Sequence, residues 1–440
     1  MKKQKLFFKI KNSFWFIPVV YSLCTILFVS VGAWFDFSMI EWKRYIPELL
    51  LASNAIAKQL YGPLITAILT MTTISFSTIM VVLTTYSSQF SPRALQNFIS
   101  DKFTQHVLGV FVSGFLFALL NMFLLSGENN TVLITPLITL IVAICCLIFF
   151  ILFINHSARW IQVNNLISEI MKKSVDKIND DEGLNSVKHK AEIEDEKEAE
   201  LLKKNKLLIY SDKNGYVEYV KFSQLVKEAS NSSIVIKLNA KVGQYVRKGT
   251  LLATCWTDEY SDVDFENILP TIVIGSNQSS IQDAEFSIQK LVEIALRAVS
   301  PAINDPHTAI NCTNRIGTVL AVTAKKQPPA RYLFDEENNL RVIINTKTFQ
   351  EYLYKAFYQI RIYGRNDVSV MNGVLESLTI IAENQKREIK NEVWKFHDYI
   401  LTAINTKHLH ELDKQLVNET LSKLAITCEK ENRFWNEDRL

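Results

Sequence analysis

Formal charge is almost missing from the first third of this chain, outside an N-terminal tail and short loops. Between Gln59 and Pro92 no side chain carries any, and a run of that length can cross a bilayer. Cysteine chemistry is missing too. The 6 cysteines show no metal-type spacing: Cys24, Cys145 and Cys146 lie in apolar runs, and Cys255, Cys312 and Cys428 are scattered. That pattern excludes a disulfide framework and suits a soluble part kept in a reducing compartment. No glycine-rich phosphate loop, nucleophile elbow or zinc-protease motif appears, and there is no internal repeat. A net charge of +3 over 440 residues offers no electrostatic case for nucleic acid.

Hydroxyl groups are abundant where charge is absent. The stretch Leu60 to Tyr86 carries Thr66, Thr70, Thr72, Thr73, Ser75, Ser77, Thr78, Thr84 and Thr85, close to one per helical turn. It leaves through the polar segment Ser87-Ser88-Gln89-Phe90-Ser91-Pro92-Arg93. A spanning helix of this polarity is expected to hide its hydroxyls against protein, another subunit or water.

Four spans are expected, at about 14–35, 60–86, 107–125 and 132–154, within a transmembrane domain of residues 1–155. The first is too long for the apolar core of a signal peptide and has no clear cleavage site. Gly109 and Gly114 offer close helix contact in the third. An even number of spans puts both termini on one side. The lysines at 2, 3, 5, 9 and 11, together with Arg93, Lys102, Arg159, Lys172 and Lys173, favour the cytoplasm for that side. The expected location is a bacterial inner membrane, with the lipid bilayer as the first partner.

The remaining chain reads as a cytoplasmic α+β part. Residues 156–206 are an amphipathic helix, from His156 to about Asn179 as a continuation of the fourth span, and then a charged linker. Residues 207–257 are a small β module. LLIYSDKNGYVEYV alternates around Asn214-Gly215, a hairpin signal. Val242, Gly243, Val246, Gly249 and Leu252 are similar to the turn-rich half of biotinyl/lipoyl-type barrel-sandwich modules, but the lysine-bearing turn of carrier domains is absent, so no cofactor is expected. Residues 258–440 form a mainly helical domain. Its expected helices are 282–299, 306–323, 348–363, 368–392 and 393 to about 428, with two short strands around Asn338-Asn339.

Two stretches carry a resemblance. One runs through Gln89-Phe90-Ser91-Pro92-Arg93, Asp101 and Leu108-Gly109. The other runs through Gln282-Asp283, Ile294-Ala295, Arg297-Ala298, Ser300-Pro301 and Asn304-Asp305-Pro306-Thr308-Ala309. Together they resemble the domain-of-unknown-function family 2254 of predicted bacterial inner-membrane proteins. The resemblance implies an N-terminal four-span part and a large soluble part, and it supplies no reaction.

Candidate chemistry is sparse. His307 beside Asp305 is one arrangement in which a carboxylate orients an imidazole, but capping of the next helix by Asn304 or Asp305, with Pro306 at its first position, accounts for the same residues. His408 and His410, with Glu411 and Asp413, are too loosely spaced for a metal site. No catalytic, cofactor-binding or metal-ligating set emerges, and the chain is not expected to be an enzyme. The membrane motifs point instead to a homo-oligomeric channel or channel-like transporter for an unknown ion or small solute. Thr66, Thr70, Thr73, Ser77, Thr84, Gln89, Ser91 and Arg93 are its candidate pore-lining or gating residues, and Asp101, Arg297, Asn304, Asp305 and Pro306 its candidate interface or structural motif. The alternative is a non-conducting membrane scaffold or sensor whose soluble part binds a partner or ligand.

Overall fold

The computed structural model describes residues 14–38, 52–85, 101–125, 132–180, 186–193, 204–257, 265–276, 284–404 and 409–431, with Pro47, Ser88 and Leu184. The chain divides into two units, Met1–Asn165 and Leu166–Leu440.

Among its described residues the first unit holds four helices long and apolar enough to cross a membrane: α1 (Phe16–Ser38), α2 (Asn54–Thr85), α3 (Lys102–Leu124) and α4 (Thr135–Ile161). They match the four expected spans, but α2 starts further upstream and so includes Lys58, while Lys102 and Arg159 lie near the ends of α3 and α4. Two short antiparallel strands, β1 (Ala52–Ser53) and β2 (Val132–Leu133), tie the start of α2 to the start of α4. The third helix packs against all three others, and small residues let it do so. A Cβ on Gly109 would stand 3.0 Å from the Tyr21 ring on α1, and one on Gly114 would stand 2.6 Å from Cys146 Sγ on α4. Leu23, Leu27, Phe123, Ile144 and Ile151 point outward, as helices covered by lipid require.

The fourth span does not run on into the amphipathic helix. Gln162 is extended and separates α4 from α5 (Val163–Asp180). The Asn165 side-chain amide donates to the carbonyl oxygen of Arg159 at 3.0 Å, and the same carbonyl accepts from the Gln162 N–H at 3.3 Å, so the break is held from both sides.

The second unit combines two sheets with helices. Its strands are β3 (Lys188–Lys190), β4 (Asn205–Tyr210), β5 (Gly215–Val220), β6 (Val235–Leu238), β7 (Tyr245–Val246), β8 (Leu251–Thr257), β9 (Ile272–Gly275), β10 (Tyr332–Phe334) and β11 (Leu340–Ile343). Six of them form a mixed sheet in the order β3-β10-β11-β6-β8-β4, in which only β11 and β6 run parallel. The other three form an antiparallel sheet, β7-β5-β9. Ile209, Ile236, Leu252 and Cys255 of the larger sheet share one core with Val217, Val246 and Ile274 of the smaller, closed by Leu225 and Ala229 of α6 (Phe222–Asn231). Strands from outside 207–257 therefore complete both sheets.

The hairpin expected around Asn214-Gly215 is absent, because β4 and β5 belong to different sheets. A Cβ at Gly215 would collide with the carbonyl oxygen of Gly275, so this glycine serves the close pairing of β5 with β9. Asn214 Oδ1 accepts from the Lys248 N–H at 2.9 Å. Gly243 and Gly249, at φ of 83° and 85°, do hold the tight turns that precede β7 and β8.

Among the described residues, six longer helices complete the unit: α7 (Ala284–Ala298), α8 (Pro306–Lys325), α9 (Phe349–Tyr363), α10 (Val368–Ala382), α11 (Arg387–Leu401) and α12 (Glu411–Thr427). The apolar α10 lies among α8, α11 and α12. A Cβ at Gly317 on α8 would stand 3.0 Å from the Ser377 carbonyl oxygen on α10, so the pair approaches nearly backbone to backbone. Three helices replace the two expected after residue 368. Asn384, at φ 55°, stops the chain after α10, and the Gln385 amide anchors the break to the Ala321 carbonyl at 2.9 Å. A capping box between His410 and Asp413 starts α12 afresh.

Candidate functional site

The second membrane helix has two distinct sides. Ala57, Tyr61, Ile68, Ser75, Ile79 and Val82 are buried against the unit. At about 100° per residue, Thr66, Thr70, Thr73, Ser77 and Thr84 fall within an arc of about 60° on the opposite side. All five are exposed. Ser75 faces inward and is fully buried. The structure thus brings five of the candidate pore residues onto one stripe and turns it away from its own bundle.

Four of the five hydroxyls need no outside partner for their protons. Thr66 donates to the Gly62 carbonyl at 3.0 Å, Thr70 to Thr66 at 2.8 Å, Thr73 to Leu69 at 2.9 Å and Thr84 to Met80 at 2.6 Å. Such back-bonding satisfies the donor inside the helix, and it relieves the requirement that composition alone imposed. Each oxygen keeps lone pairs free, so the stripe presents acceptors and no formal charge. Gln89, Ser91 and Arg93 lie outside the described residues.

Asp101 has a double role at the start of α3. Its Oδ2 accepts from the Thr104 N–H at 2.9 Å and from the Thr104 hydroxyl at 2.8 Å, an N-cap in extended geometry. The same oxygen stands 2.9 Å from His156 Nε2 on α4. His156 also contacts Trp160 Nε1 at 2.9 Å, and its ring lies 4.6 Å from that of Phe103. This cross-link between two membrane helices was not foreseen, although a lone histidine at the end of an apolar span is a visible signal. A second histidine contact, Tyr21 OH to His106 Nδ1 at 3.2 Å, joins α1 to α3.

In the second unit, residues 297–306 make a tight helix-to-helix connector. The Ser300 hydroxyl donates to the Arg297 carbonyl at 2.6 Å in the last turn of α7, and Asn304 takes a left-handed φ of 50°. Asp305 caps α8, accepting from the Thr308 N–H at 3.1 Å and the Thr308 hydroxyl at 2.6 Å, with Pro306 at the first helical position. The Thr308 hydroxyl holds the Asp305 carboxyl below the usual carboxylate range. Both carboxylate oxygens are engaged by the cap, while His307 is exposed. His410 caps α12, and His408 lies outside the described residues. Among the described residues, no three His, Cys, Asp or Glu side chains gather as metal ligands would.

The chain is similar to uncharacterised proteins of Mycobacterium bovis and Mycobacterium tuberculosis, 28% identical over 338 residues, which are 73% of this chain and 64% of theirs. It thus spans under two thirds of the length of these relatives. No solved structure matches it. The family model described as predicted membrane protein (DUF2254) matches residues 11–379, from the segment before α1 into α10. The four membrane-length helices agree with that description, and the chain belongs to this family of predicted membrane proteins of unknown function.

Proposed function

We propose that the protein is a homo-oligomeric channel, or channel-like transporter, for ions or small solutes in the bacterial inner membrane, with both termini in the cytoplasm. One observation carries the reading. The five hydroxyls of Thr66, Thr70, Thr73, Ser77 and Thr84 share one outward arc on α2, in a unit whose other outward faces are strongly apolar. Four helices from one chain do not enclose a water-filled path, so several copies would have to turn their stripes to a common axis. Oxygen acceptors with committed protons, as at Thr66, Thr70, Thr73 and Thr84, suit a cation or a neutral polar solute better than an anion. The stripe carries no titratable group, which argues for passive movement over proton coupling. The β-rich stretch 207–257, read as a barrel-sandwich-like module, and the helical 258–440 would assemble and gate the path, beyond the membrane domain of 1–155 and the 156–206 linker.

Reconstituted vesicles test this. Potassium or sodium flux above that of empty vesicles is expected. Thr70→Val with Ser77→Val should cut it severalfold, whereas Ser75→Val, on the packed side, should alter stability more than flux. Absence of flux for every small ion and neutral solute tried would overturn the reading.

The back-bonding itself favours a second reading, a non-conducting scaffold or sensor. A helix that satisfies its own hydroxyl protons tolerates lipid or a packing seam at the same stripe. Intact oligomers whose stripes are sealed against protein, and which pass no solute, would support it.

A further inference from the structure

The first unit carries a groove of about 330 Å³ along two of its membrane helices. Tyr21, Cys24 and Phe28 of α1 line it from one side, Ser113 and Phe117 of α3 from the other, and Val142 of α4 adds to the wall. The Tyr21 and His106 rings lie 5.9 Å apart and those of Phe28 and Phe117 6.2 Å apart, so α1 and α3 run in the same direction with the groove along their seam. At the rise of an α-helix, Tyr21 and Phe28 stand about 10 Å apart, roughly two thirds of the hydrocarbon depth of one leaflet.

The groove asks for hydrocarbon. Among the described residues no charged side chain lines it, and its hydroxyls are committed: Thr25 donates to the Tyr21 carbonyl oxygen at 2.8 Å and Ser113 to that of Val110 at 3.0 Å. Cys24 and Phe28 are exposed, so the groove opens outward from the bundle. Its mouth is different. Lys102, His106, Gly109, Ser113 and Phe117 fall within an arc of about 80° on α3, one stripe that leads from the start of the helix into the groove. Trp15 just before α1 and Trp160 near the end of α4 mark this end as a membrane–water interface, where a lysine amine reaches lipid phosphates. Lys102 and His106 are both exposed there, and Lys102 ion-pairs with nothing among the described residues. His106 Nδ1 lies 3.2 Å from the Tyr21 hydroxyl. With that hydroxyl donating, the ring proton sits on Nε2, which has no partner among the described residues. Asp101, the adjacent acid, directs its Oδ2 to Thr104 and to His156 on α4.

From this arrangement we infer that the seam of α1 and α3 is a binding site for one anionic phospholipid, with an acyl chain in the groove and the phosphate held by Lys102 and His106. A cationic mouth on an uncharged, apolar groove matches the two halves of such a lipid. The inference rests on the four membrane helices and not on the transport reading. A protein that conducts nothing would still retain the lipid.

Native mass spectrometry of the full-length protein in detergent, titrated with phosphatidylglycerol or phosphatidylcholine, tests it. Phosphatidylglycerol, which carries the net negative charge, is expected to bind more tightly. Lys102→Gln should weaken it about fivefold, the effect of one interfacial charge, whereas Lys58→Gln, near the start of α2, should not. Cys24→Trp fills the groove and leaves its mouth intact, so it should weaken both lipids. Cys145→Trp, at an exposed position of α4 outside the groove, should weaken neither. Thermal unfolding of each variant confirms that the fold is kept. Equal binding of the two lipids would overturn the inference, since ordinary bilayer contact predicts it. Losses at Lys58 or Cys145 as large as those at Lys102 or Cys24 would overturn it too. If Cys24→Trp splits an oligomer without loss of lipid, the groove is a seam between copies of this chain and the inference fails.

Discussion

The two units solve opposite packing problems. In the second, Leu353, Phe357, Leu378 and Val393 are fully buried, as a water-facing fold requires. In the first, the outward positions hold Leu27, Phe123 and Ile151, while Gln105, Asn121, Thr139 and Ser157 are turned inward. Both use glycines where helices come closest, Gly114 in one and Gly317 in the other. The difference lies in what covers the outside. Against an apolar exterior, the hydroxyl stripe of α2 is the exception, and that contrast gives it more weight than a count of threonines does.

The contrast can be broken most strongly with a pair of phenylalanines. Phe357→Ala in the second unit should cost about 3–5 kcal/mol, because it leaves a cavity in a closed core. Phe123, 75% exposed on α3, should lose far less when replaced by Ala in a bilayer. Thermal unfolding of the two variants in the same vesicles checks this, and equal losses would contradict the lipid-facing assignment.

Asp335 sharpens the comparison through charge. It is nearly buried at the turn between β10 and β11, and Arg341 Nε donates to its Oδ2 at 2.7 Å. Burial would raise its pKa, but the hydrogen bonds from Arg341 and Asn339 prevail and hold the carboxyl at about 2. The folded value lies below the ordinary 3.8, so the ionised carboxylate adds stability that is complete above that pH and is lost as pH falls towards 2. Asp335→Asn should cost about 2 kcal/mol near neutral pH and flatten the acid limb of a stability–pH curve. An unchanged acid limb would count against the pairing.

A smaller effect is expected at the Asp101 cap. Asp101→Ala should destabilise by about 1–2 kcal/mol, since it removes the cap of α3 as well as the contact to His156. His156→Ala leaves the cap in place and should cost less. Thr73→Val is expected to have the smallest effect, within about 0.5 kcal/mol, because its hydroxyl bonds only to its own helix. Its consequence should appear in flux rather than in unfolding temperature.

Features decided locally were legible in the sequence. The membrane helices follow from missing charge, and the 297–306 connector follows from Asp305, Pro306 and a short reach to Thr308. The early start of α2 was hidden because Lys58 and Gln59 resemble a loop. Asn214-Gly215 carried a strong hairpin signal, yet β5 finds its partners at 245–246 and 272–275, and those distant pairings override it. Hydroxyl density was plain, but its direction depends on knowing that Tyr61, Ile68 and Ser75 face the bundle.

The parallel pairing of β6 with β11 also sets an order of events during synthesis. The central strands β6 and β8 leave the ribosome long before β10 and β11, and β3 has no sheet partner until β10 arrives. By then α1 to α4 have already been made, so the nascent chain must keep an incomplete sheet from pairing elsewhere while its membrane part inserts. A chain stopped at residue 257 would leave that edge open, and aggregation rather than loss of insertion is its expected defect.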